Sequence, residues 1–248
     1  MPSEQFTGKK VLITGGSSGF GFQMAKDFIA QGAEVMITGR NPQKLGEAKD
    51  KINNARLHTI VWDQSDCNSI INKFNEVISE LGGLDVAINN AGVWNNTDWH
   101  TVDESEYDKI VDINTKGLYF LCKAEVGYFR KNNIPAKIIN ITSVEGNRPS
   151  FLPYSISKWG AKCLTEGLAK EVARFGIQVN AIAPGVALTD INMQLKQSQK
   201  DNFYFPPHRS GRFTAVEEIS NLAMFLACDQ ASNIVGQTIA VDGGWTIL

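Results

Sequence analysis

The chain has 248 residues, of which 43% are hydrophobic and 20% are charged, and its formal net charge is −2. Because a single large α/β domain is common at this length, we expect one domain over residues 1–248 with a full hydrophobic core. A nearly balanced charge offers no basic surface for nucleic acid or for anionic lipid. The composition therefore argues against nucleic acid and membranes as partners.

The cysteines and the first residues indicate a reducing compartment. Four cysteines, Cys67, Cys122, Cys163 and Cys228, are scattered without a C-x-x-C pair, as is typical of small buried thiols. The first ten residues have no apolar segment like that of a signal peptide, and no run approaches the ~20 apolar residues that cross a bilayer. We therefore predict a cytoplasmic protein, and we predict no metal site.

The first apolar segment, residues 11–13, leads directly into a glycine-rich turn and then into a helical segment. The turn consists of Thr14, Gly15, Gly16, Ser17, Ser18, Gly19, Phe20 and Gly21. Glycine adopts backbone angles closed to other residues, and the N–H groups and positive dipole end of a helix attract anions. The turn is predicted to bind a dinucleotide, although its spacing differs from G-x-G-x-x-G. The alternative is a turn that only packs tightly.

Short apolar runs alternate with amphipathic segments along the rest of the chain. Seven runs are predicted as strands: 11–13, 35–38, 57–62, 86–89, 137–142, 178–183 and 238–241. Five segments between them are predicted as helices: 20–30, 66–81, 115–132, 154–175 and 216–229. Strands that alternate with helices pair in parallel through right-handed crossovers. The pattern predicts a Rossmann-type, doubly wound parallel sheet with helices on both faces.

Polar motifs follow several of these strands, which is where ligands bind on such sheets. In chain order they are Asn89, Asn90, Ala91 and Gly92 after the fourth strand, Ser143 after the fifth, Tyr154 and Lys158 at a helix start, and Pro184, Gly185, Val186 and Thr189 after the sixth. Together with the glycine-rich turn and the late segment 241–244, these elements resemble the short-chain dehydrogenase/reductase family along nearly the whole chain. The resemblance implies hydride transfer between a nicotinamide and a carbonyl or secondary alcohol.

The resemblance assigns catalysis to Asn114, Ser143, Tyr154 and Lys158. Tyr154 and Lys158 are four residues apart, so they share one face of a helix. An ammonium group and an oxidised nicotinamide beside a phenol are expected to lower its pKa, which suits general acid/base work. Ser143 would hydrogen-bond the substrate oxygen, and Asn114 would distort its helix and hold a water joined to Lys158.

The loop between the serine and the tyrosine departs from the family pattern. Ser143 precedes Tyr154 by eleven residues, about two fewer than in many relatives. The family pattern therefore does not predict the pocket wall that residues 144–153 form. Thr142 is the alternative oxygen donor. Tyr119 and Lys123 repeat the tyrosine–lysine spacing without a strand-end serine before them, so we interpret them as packing residues.

Cofactor choice depends on the end of the second strand. Relatives that prefer NAD carry an acidic residue where Gly39 stands, and the guanidinium of Arg40 suits a 2′-phosphate. The resemblance therefore implies NADP(H) as the preferred cofactor with NAD(H) possible, unless Arg40 is only a solvated cation. The residues expected to bind the cofactor are Gly15, Ser17, Ser18, Gly19, Phe20, Gly21, Arg40, Asp63, Gln64, Asn90, Gly92, Tyr154, Lys158, Pro184, Gly185, Val186 and Thr189. Thr189 and the backbone of Val186 would bind the carboxamide.

The sequence says less about the substrate and the oligomeric state than about the cofactor. Residues 188–212 include the aromatic and proline run 203–207, which suggests a substrate lid. Glu145 would receive a hydroxyl of a polar substrate or face water. The segment 115–132 is apolar on more than one face and the chain ends in Trp245 to Leu248, so we expect a homotetramer that buries both.

Two other functions remain open at this point. One is an NAD-dependent polyol or sugar alcohol dehydrogenase, as opposed to a ketoacyl-reductase-like or general ketone reductase that uses NADP(H). The other is a nonenzymatic dinucleotide sensor on the same fold. A sensor has little need of Tyr154, Lys158 and Ser143 together.

Overall fold

A computed structural model of the chain describes residues 4–95, 98–187, 189 and 208–247. Its strands are β1 (Lys10–Thr14), β2 (Glu34–Gly39), β3 (Leu57–Val61), β4 (Val86–Asn89), β5 (Ala136–Ile141), β6 (Ile177–Pro184) and β7 (Thr238–Val241). Its α-helices are α1 (Gly19–Ala30), α2 (Pro42–Ile52), α3 (Ile70–Leu81), α4 (Glu104–Val111), α5 (Leu118–Lys131), α6 (Pro153–Val172) and α7 (Val216–Ala227). Shorter turns are the π-helical Asp112–Gly117 and the 3₁₀ segments Val144–Asn147, Ala173–Phe175 and Asp229–Ala231.

The seven strands form one parallel sheet in the order β3-β2-β1-β4-β5-β6-β7. The chain winds outward from β1 to β3 and then returns to lay β4 on the other side of β1. Loops after β1 and β4 therefore diverge above the sheet and leave a crevice at the carboxyl ends of the strands. The predicted fold class and single domain are confirmed.

Alternate residues of the central strands pack on opposite faces of the sheet. Val11 and Ile13 join a core with Phe28 of α1, whereas Leu12 joins a second core with Phe74 of α3 and Phe129 of α5. All are at most 1% exposed. Both faces of the sheet are thus covered, as expected of a parallel sheet whose strands are almost wholly apolar.

Two helices lie where the sequence pattern predicted none. Helix α2 buries only Leu45 and Ala48, and α4 buries only Ile110, so neither carries a strong apolar stripe. Their starts are marked instead by caps: the side chain of Asn41 accepts from Lys44 N at 3.1 Å, and that of Asp103 accepts from Glu106 N at 2.8 Å. Segment 66–69 precedes α3 as a turn, and 115–117 belongs to the π-helical turn.

Most of the predicted lid, at positions 188 and 190–207, lies outside the described residues. Of the rest of that segment, Thr189 and residues 208–212 are described. Arg212 makes an ion pair of 2.6 Å with Glu218 of α7. None of the helices in the described ranges has the length and apolarity that crossing a membrane requires.

Candidate active site

A cavity of about 900 Å³ opens at the carboxyl ends of β1 to β6. Its walls include residues from most of the predicted motifs. The predicted site residues that line it are Gly15, Ser17, Ser18, Gly19, Phe20, Arg40, Asp63, Gln64, Asn90, Gly92, Ser143, Tyr154, Lys158, Pro184, Gly185, Val186 and Thr189. Gly21 and Asn114 lie directly behind this wall. The fold thus brings together segments that are more than 150 residues apart in the chain.

The glycine-rich turn leaves room for a ligand beside the main chain. Gly15 and Gly19 have φ values of +66° and +54°, in the left-handed region that favours glycine. A Cβ at Gly15 would lie 2.9 Å from Ala91 Cα, and one at Gly21 would collide with the carbonyl of Gly15. Because α1 begins at Gly19, its N-terminal dipole end faces the cavity, as a pyrophosphate requires.

Asn90 braces this turn against β4. Its Nδ2 donates to the carbonyl oxygens of Thr14 at 2.9 Å and Gly15 at 3.0 Å, and its backbone N donates to Thr14 Oγ1 at 3.1 Å. The amide of Asn90 is thus used inside the protein. Gly92, three positions past β4, keeps the floor open, because a Cβ there would lie 3.2 Å from Asn114 Oδ1 and 3.3 Å from Lys158 Nζ.

Tyr154 and Ser143 lie together in the wall of the cavity. Tyr154 is in the first turn of α6 and hydrogen-bonds Ser143, which follows β5. Desolvation raises the pKa of Tyr154 to about 12; the Ser143 hydrogen bond opposes this rise and the nearby Glu145 carboxylate adds to it. The Oγ1 of Thr142, the alternative oxygen donor, donates to Ile182 O at 2.9 Å, so its proton is already used within the sheet.

Lys158 lies one turn further along α6 and is 5% exposed. Its Nζ donates to Ile141 O at 3.1 Å and lies 5.7 Å from the centre of the Tyr154 ring. Burial lowers the pKa of Lys158 to about 8. That the ammonium and an oxidised nicotinamide together lower the pKa of Tyr154 stays a prediction, because the rise described here is that of the polypeptide alone.

Asn114 lies in the π-helical turn between α4 and α5, so its segment has the local distortion that the resemblance implied. It is 2% exposed. Its Oδ1 accepts from Val93 N at 2.9 Å, and its Nδ2 donates to Val93 O at 2.9 Å and Ser157 Oγ at 3.1 Å. Asn114 therefore fixes the loop after β4 against the first turns of α6.

The end of β2 forms a cationic corner of the cavity. Arg40 lies there with Lys44 of α2, which the sequence pattern missed because α2 itself was not predicted. A Cβ at Gly39 would be in ordinary contact with Ser17 Oγ at 3.5 Å, so a side chain fits at this position. Asp63 follows β3 and accepts from Ser65 N at 3.0 Å and Ser65 Oγ at 2.7 Å.

The backbone of the loop after β6 is hydrogen-bonded to residues much further along the chain. Val186 N donates to Nε2 of His208 at 3.2 Å, and Val186 O accepts from Thr214 N at 2.9 Å. The backbone N and O of Val186 therefore both have partners inside the protein, and the prediction that its backbone binds the carboxamide stays a prediction. His208 is 1% exposed and donates from Nδ1 to Arg212 O at 2.7 Å, as a neutral imidazole can.

Comparisons with known proteins agree with this geometry. A family model described as enoyl-(acyl carrier protein) reductase matches residues 15–246. The chain belongs to the short-chain dehydrogenase/reductase family. Gluconate 5-dehydrogenase of Gluconobacter oxydans (strain 621H) is 31% identical over 97% of this chain and 96% of that protein. The 3-oxoacyl-(acyl-carrier-protein) reductase of Chlamydia muridarum (strain MoPn / Nigg) is 34% identical over 95% of this chain and 96% of that protein.

Solved structures of this family share the whole fold. A short-chain type dehydrogenase/reductase from Mycobacterium marinum superimposes with a TM-score of 0.91 at 27% identity and covers 98% of both chains. A 3-ketoacyl-(acyl-carrier-protein) reductase from Brucella melitensis, complexed with NADH, gives 0.88 at 28% identity over 97% of this chain and 99% of the other. This short-chain dehydrogenase/reductase is an oxidoreductase of alcohols and ketones with a nicotinamide cofactor.

The substrate end of the cavity in this short-chain dehydrogenase/reductase contains residues that the motifs did not identify. Arg148, Phe151 and Trp245 line it together with Glu145 and Trp94. The 3₁₀ turn Val144–Asn147 carries the first part of this wall, so the short loop after Ser143 is folded against α6. The sequence does place Arg148 three residues after Glu145, a spacing that allows an ion pair. Spacing alone, however, does not distinguish an ion pair in a pocket from one on the surface.

Proposed function

We propose that this enzyme transfers a hydride between NADP(H) and a carbonyl or secondary alcohol, with Tyr154 exchanging the proton. The observation that carries the proposal is one cavity in which a glycine cradle with a helix start lies opposite the hydrogen-bonded pair Ser143 and Tyr154. The cradle accepts a pyrophosphate, and the pair holds and protonates an oxygen.

The chain's own groups have separate proposed tasks. When bound, the nicotinamide supplies or accepts the hydride. Ser143 holds the substrate oxygen, and Tyr154 gives it a proton during reduction or takes one during oxidation. Lys158 binds the ribose and stabilises the phenolate. Asn114 positions the first turns of α6, which carry Tyr154 and Lys158, through its contacts with Val93 and Ser157.

At neutral pH Tyr154 and Lys158 both carry their protons in the polypeptide alone. A pKa of about 12 keeps the phenol protonated at neutral pH, and a protonated phenol is the form that donates to a carbonyl oxygen. The buried Lys158, whose pKa is about 8, still carries its charge at pH 7. During carbonyl reduction the protonated phenol can donate to the substrate oxygen, and the ammonium can stabilise the phenolate that remains.

Several features support NADP(H) over NAD(H). Arg40 and Lys44 place two cations at the end of β2, and Gly39 leaves no carboxylate there to repel a 2′-phosphate. NAD(H) remains the second cofactor of the proposal, and the NADH bound to the Brucella melitensis relative supports that choice. The other proposed cofactor contacts are those of the cavity wall, from Gly15 to Thr189.

An NAD-dependent polyol or sugar alcohol dehydrogenase is the second candidate. The observation in its favour is the ion pair of Glu145 and Arg148 in the cavity wall, together with relatives described as gluconate 5-dehydrogenase and glucose 1-dehydrogenase. The two candidates differ in cofactor and in substrate: NADP(H) with a ketone or ketoacyl group, against NAD(H) with a polyol or sugar alcohol.

The test of the function is a screen of cofactor oxidation against ketones, ketoacyl thioesters and keto sugars, run with NADPH and repeated with NADH. The proposal expects turnover of at least one class with a higher kcat/KM for NADPH. A higher value for NADH would favour the second candidate. No turnover with either cofactor would contradict both.

We also propose a homotetramer and a cytoplasmic location. Helices α5 and α6 expose Tyr119, Phe120, Ile156 and Trp159, with 39% to 52% of each side chain accessible. Apolar surface of this kind on neighbouring helices is typical of an interface. Light scattering should give four times the chain mass of 27.3 kDa. The four cysteines are free thiols, which supports a reducing compartment.

A further inference from the structure

We propose that Glu145 and Arg148 are a hydroxyl-binding pair and that the substrate is a neutral polyhydroxylated compound, a keto sugar or its polyol. This inference rests on the proposed function, because it assigns the substrate class to the same cavity. It makes Glu145 and Arg148 the residues that determine specificity next to the reacting carbon.

The Glu145 carboxylate is held close to Ser143 and Tyr154. The backbone N of Glu145 donates to Ser143 Oγ at 3.2 Å, and the carboxylate adds to the pKa rise of Tyr154. Its Oε2 accepts from Ser155 Oγ at 3.1 Å, and its Oε1 pairs with Arg148 Nη2 at 2.9 Å. A carboxylate oxygen accepts more than one hydrogen bond, so both atoms retain capacity for a substrate hydroxyl.

Arg148 supplies donors to the same wall. Its guanidinium lies 4.9 Å above the Trp245 ring, and its backbone carbonyl accepts from Trp159 Nε1 at 2.7 Å. An arginine has five N–H donors, and Glu145 takes one of them. Donors with a fixed direction therefore remain for a ligand.

The pair favours hydroxylated substrates over apolar ketones. An apolar group that covers Glu145 and Arg148 removes water from charged groups and returns no hydrogen bond, which is costly. Sites built to bind a hydroxyl discriminate strongly against analogues that lack it. Because Glu145 and Arg148 are 23% and 43% exposed, solvent screens part of the cost, and we expect roughly 10- to 100-fold discrimination in kcat/KM.

The charge balance favours neutral hydroxyls over a substrate carboxylate. Glu145 neutralises Arg148 at 2.9 Å and lies nearer to Ser143 along the chain. A carboxylate placed on this pair would meet the Glu145 charge as well as the guanidinium, whereas a vicinal diol donates to the first and accepts from the second. The arrangement therefore selects hydroxyl groups next to the carbonyl carbon.

The test compares kcat/KM with NADPH for matched substrates: 1,3-dihydroxyacetone against acetone, fructose against 2-hexanone, and fructose against the 5-keto derivative of gluconate. We expect the hydroxylated member to be preferred by 10-fold or more, and the neutral ketose over the acid. Arg148→Met and, separately, the conservative Glu145→Gln should each lower the ratio between hydroxylated and hydroxyl-free substrate by at least 10-fold.

Arg130→Met is the matched control. The Arg130 guanidinium also stacks on an aromatic ring, 4.3 Å from the centre of Phe175, but does not line the cavity, so both activity and ratio should be unchanged. Equal losses for both members of a substrate pair would assign Arg148 and Glu145 a structural role and overturn the inference. So would a preference for apolar ketones, for ketoacyl thioesters or for the keto acid. Turnover of ketones with equal kcat/KM for the hydroxylated and hydroxyl-free members would contradict this inference but not the proposed function. No turnover of any carbonyl compound would contradict both.

Discussion

Replacing Glu125 with glutamine should stabilise the protein at alkaline pH. Glu125 lies on α5 with 0% exposure, and its Oε2 accepts from Asn89 Nδ2 at 3.1 Å. Its Oε1 and the Oδ1 of Asn89 are buried acceptors without a partner among the described residues. A proton on the carboxyl converts one of these acceptors into a donor. A glutamine amide has the same shape and supplies donors at every pH.

The size of the effect follows from the pKa of Glu125. Desolvation raises it from 4.5 to about 7, against the hydrogen bonds of Asn89 and Cys122. Between these pH values the folded protein keeps a proton that the unfolded chain has released, so the free energy of unfolding falls as pH rises. The full loss above pH 7 is roughly 3 kcal/mol. Glu125→Gln has no carboxyl group to titrate at this position, so its free energy of unfolding does not fall in this way.

The assay is urea unfolding of both proteins at pH 5 and pH 8, at one fixed protein concentration because assembly stabilises the folded state. The variant should exceed the wild type at pH 8 by about 3 kcal/mol and differ little at pH 5. Glu80→Gln, on the exposed side of α3, is the control and should show no such pH dependence. A difference between wild type and Glu125→Gln that is equal at both pH values would refute the reasoning.

Three further predictions concern the cofactor, the proton pathway and the assembly. Gly39→Asp, which the backbone accommodates, should lower the NADPH to NADH ratio of kcat/KM by ~100-fold through repulsion of the 2′-phosphate; an unchanged ratio would exclude this corner as the selector. In the reduction direction kcat/KM should fall as pH rises above about 8, because Lys158 loses its proton there; a flat profile to pH 10 would contradict its role. Phe120→Asp should reduce the mass seen by light scattering, and an intact tetramer would show that α5 lies outside the interface.

Much of the fold was predictable because its elements follow simple periodicity. The central strands are apolar runs such as 11–13 and 86–89, and both faces of the sheet are buried there, so the pattern is strong. Helices α2 and α4 were not predicted, because they bury only one or two side chains each and their starts depend on the caps Asn41 and Asp103. Local hydrogen bonds, not an apolar stripe, define their starts.

The site was predictable where chemistry follows a strand end and unpredictable where it depends on tertiary packing. Ser143 and Tyr154 were identified through the family resemblance of motifs that follow the strands. The engagement of Val186 N by His208, 22 residues away, was not predicted, since no pattern links the two. The high pKa of Tyr154 likewise comes from desolvation by many neighbours, which a four-residue spacing does not encode.

The most direct test of the account is Tyr154→Phe, measured for NADPH binding by fluorescence titration and for turnover of the best substrate found in the screen. Loss of one hydroxyl leaves the cavity shape intact, so NADPH should bind as in the wild type while kcat falls by roughly 10²- to 10⁴-fold. Tyr119→Phe, which removes a hydroxyl from a 52% exposed tyrosine on α5, should retain full activity. Near-normal turnover by Tyr154→Phe would contradict the assignment of the proton donor and the mechanism built on it.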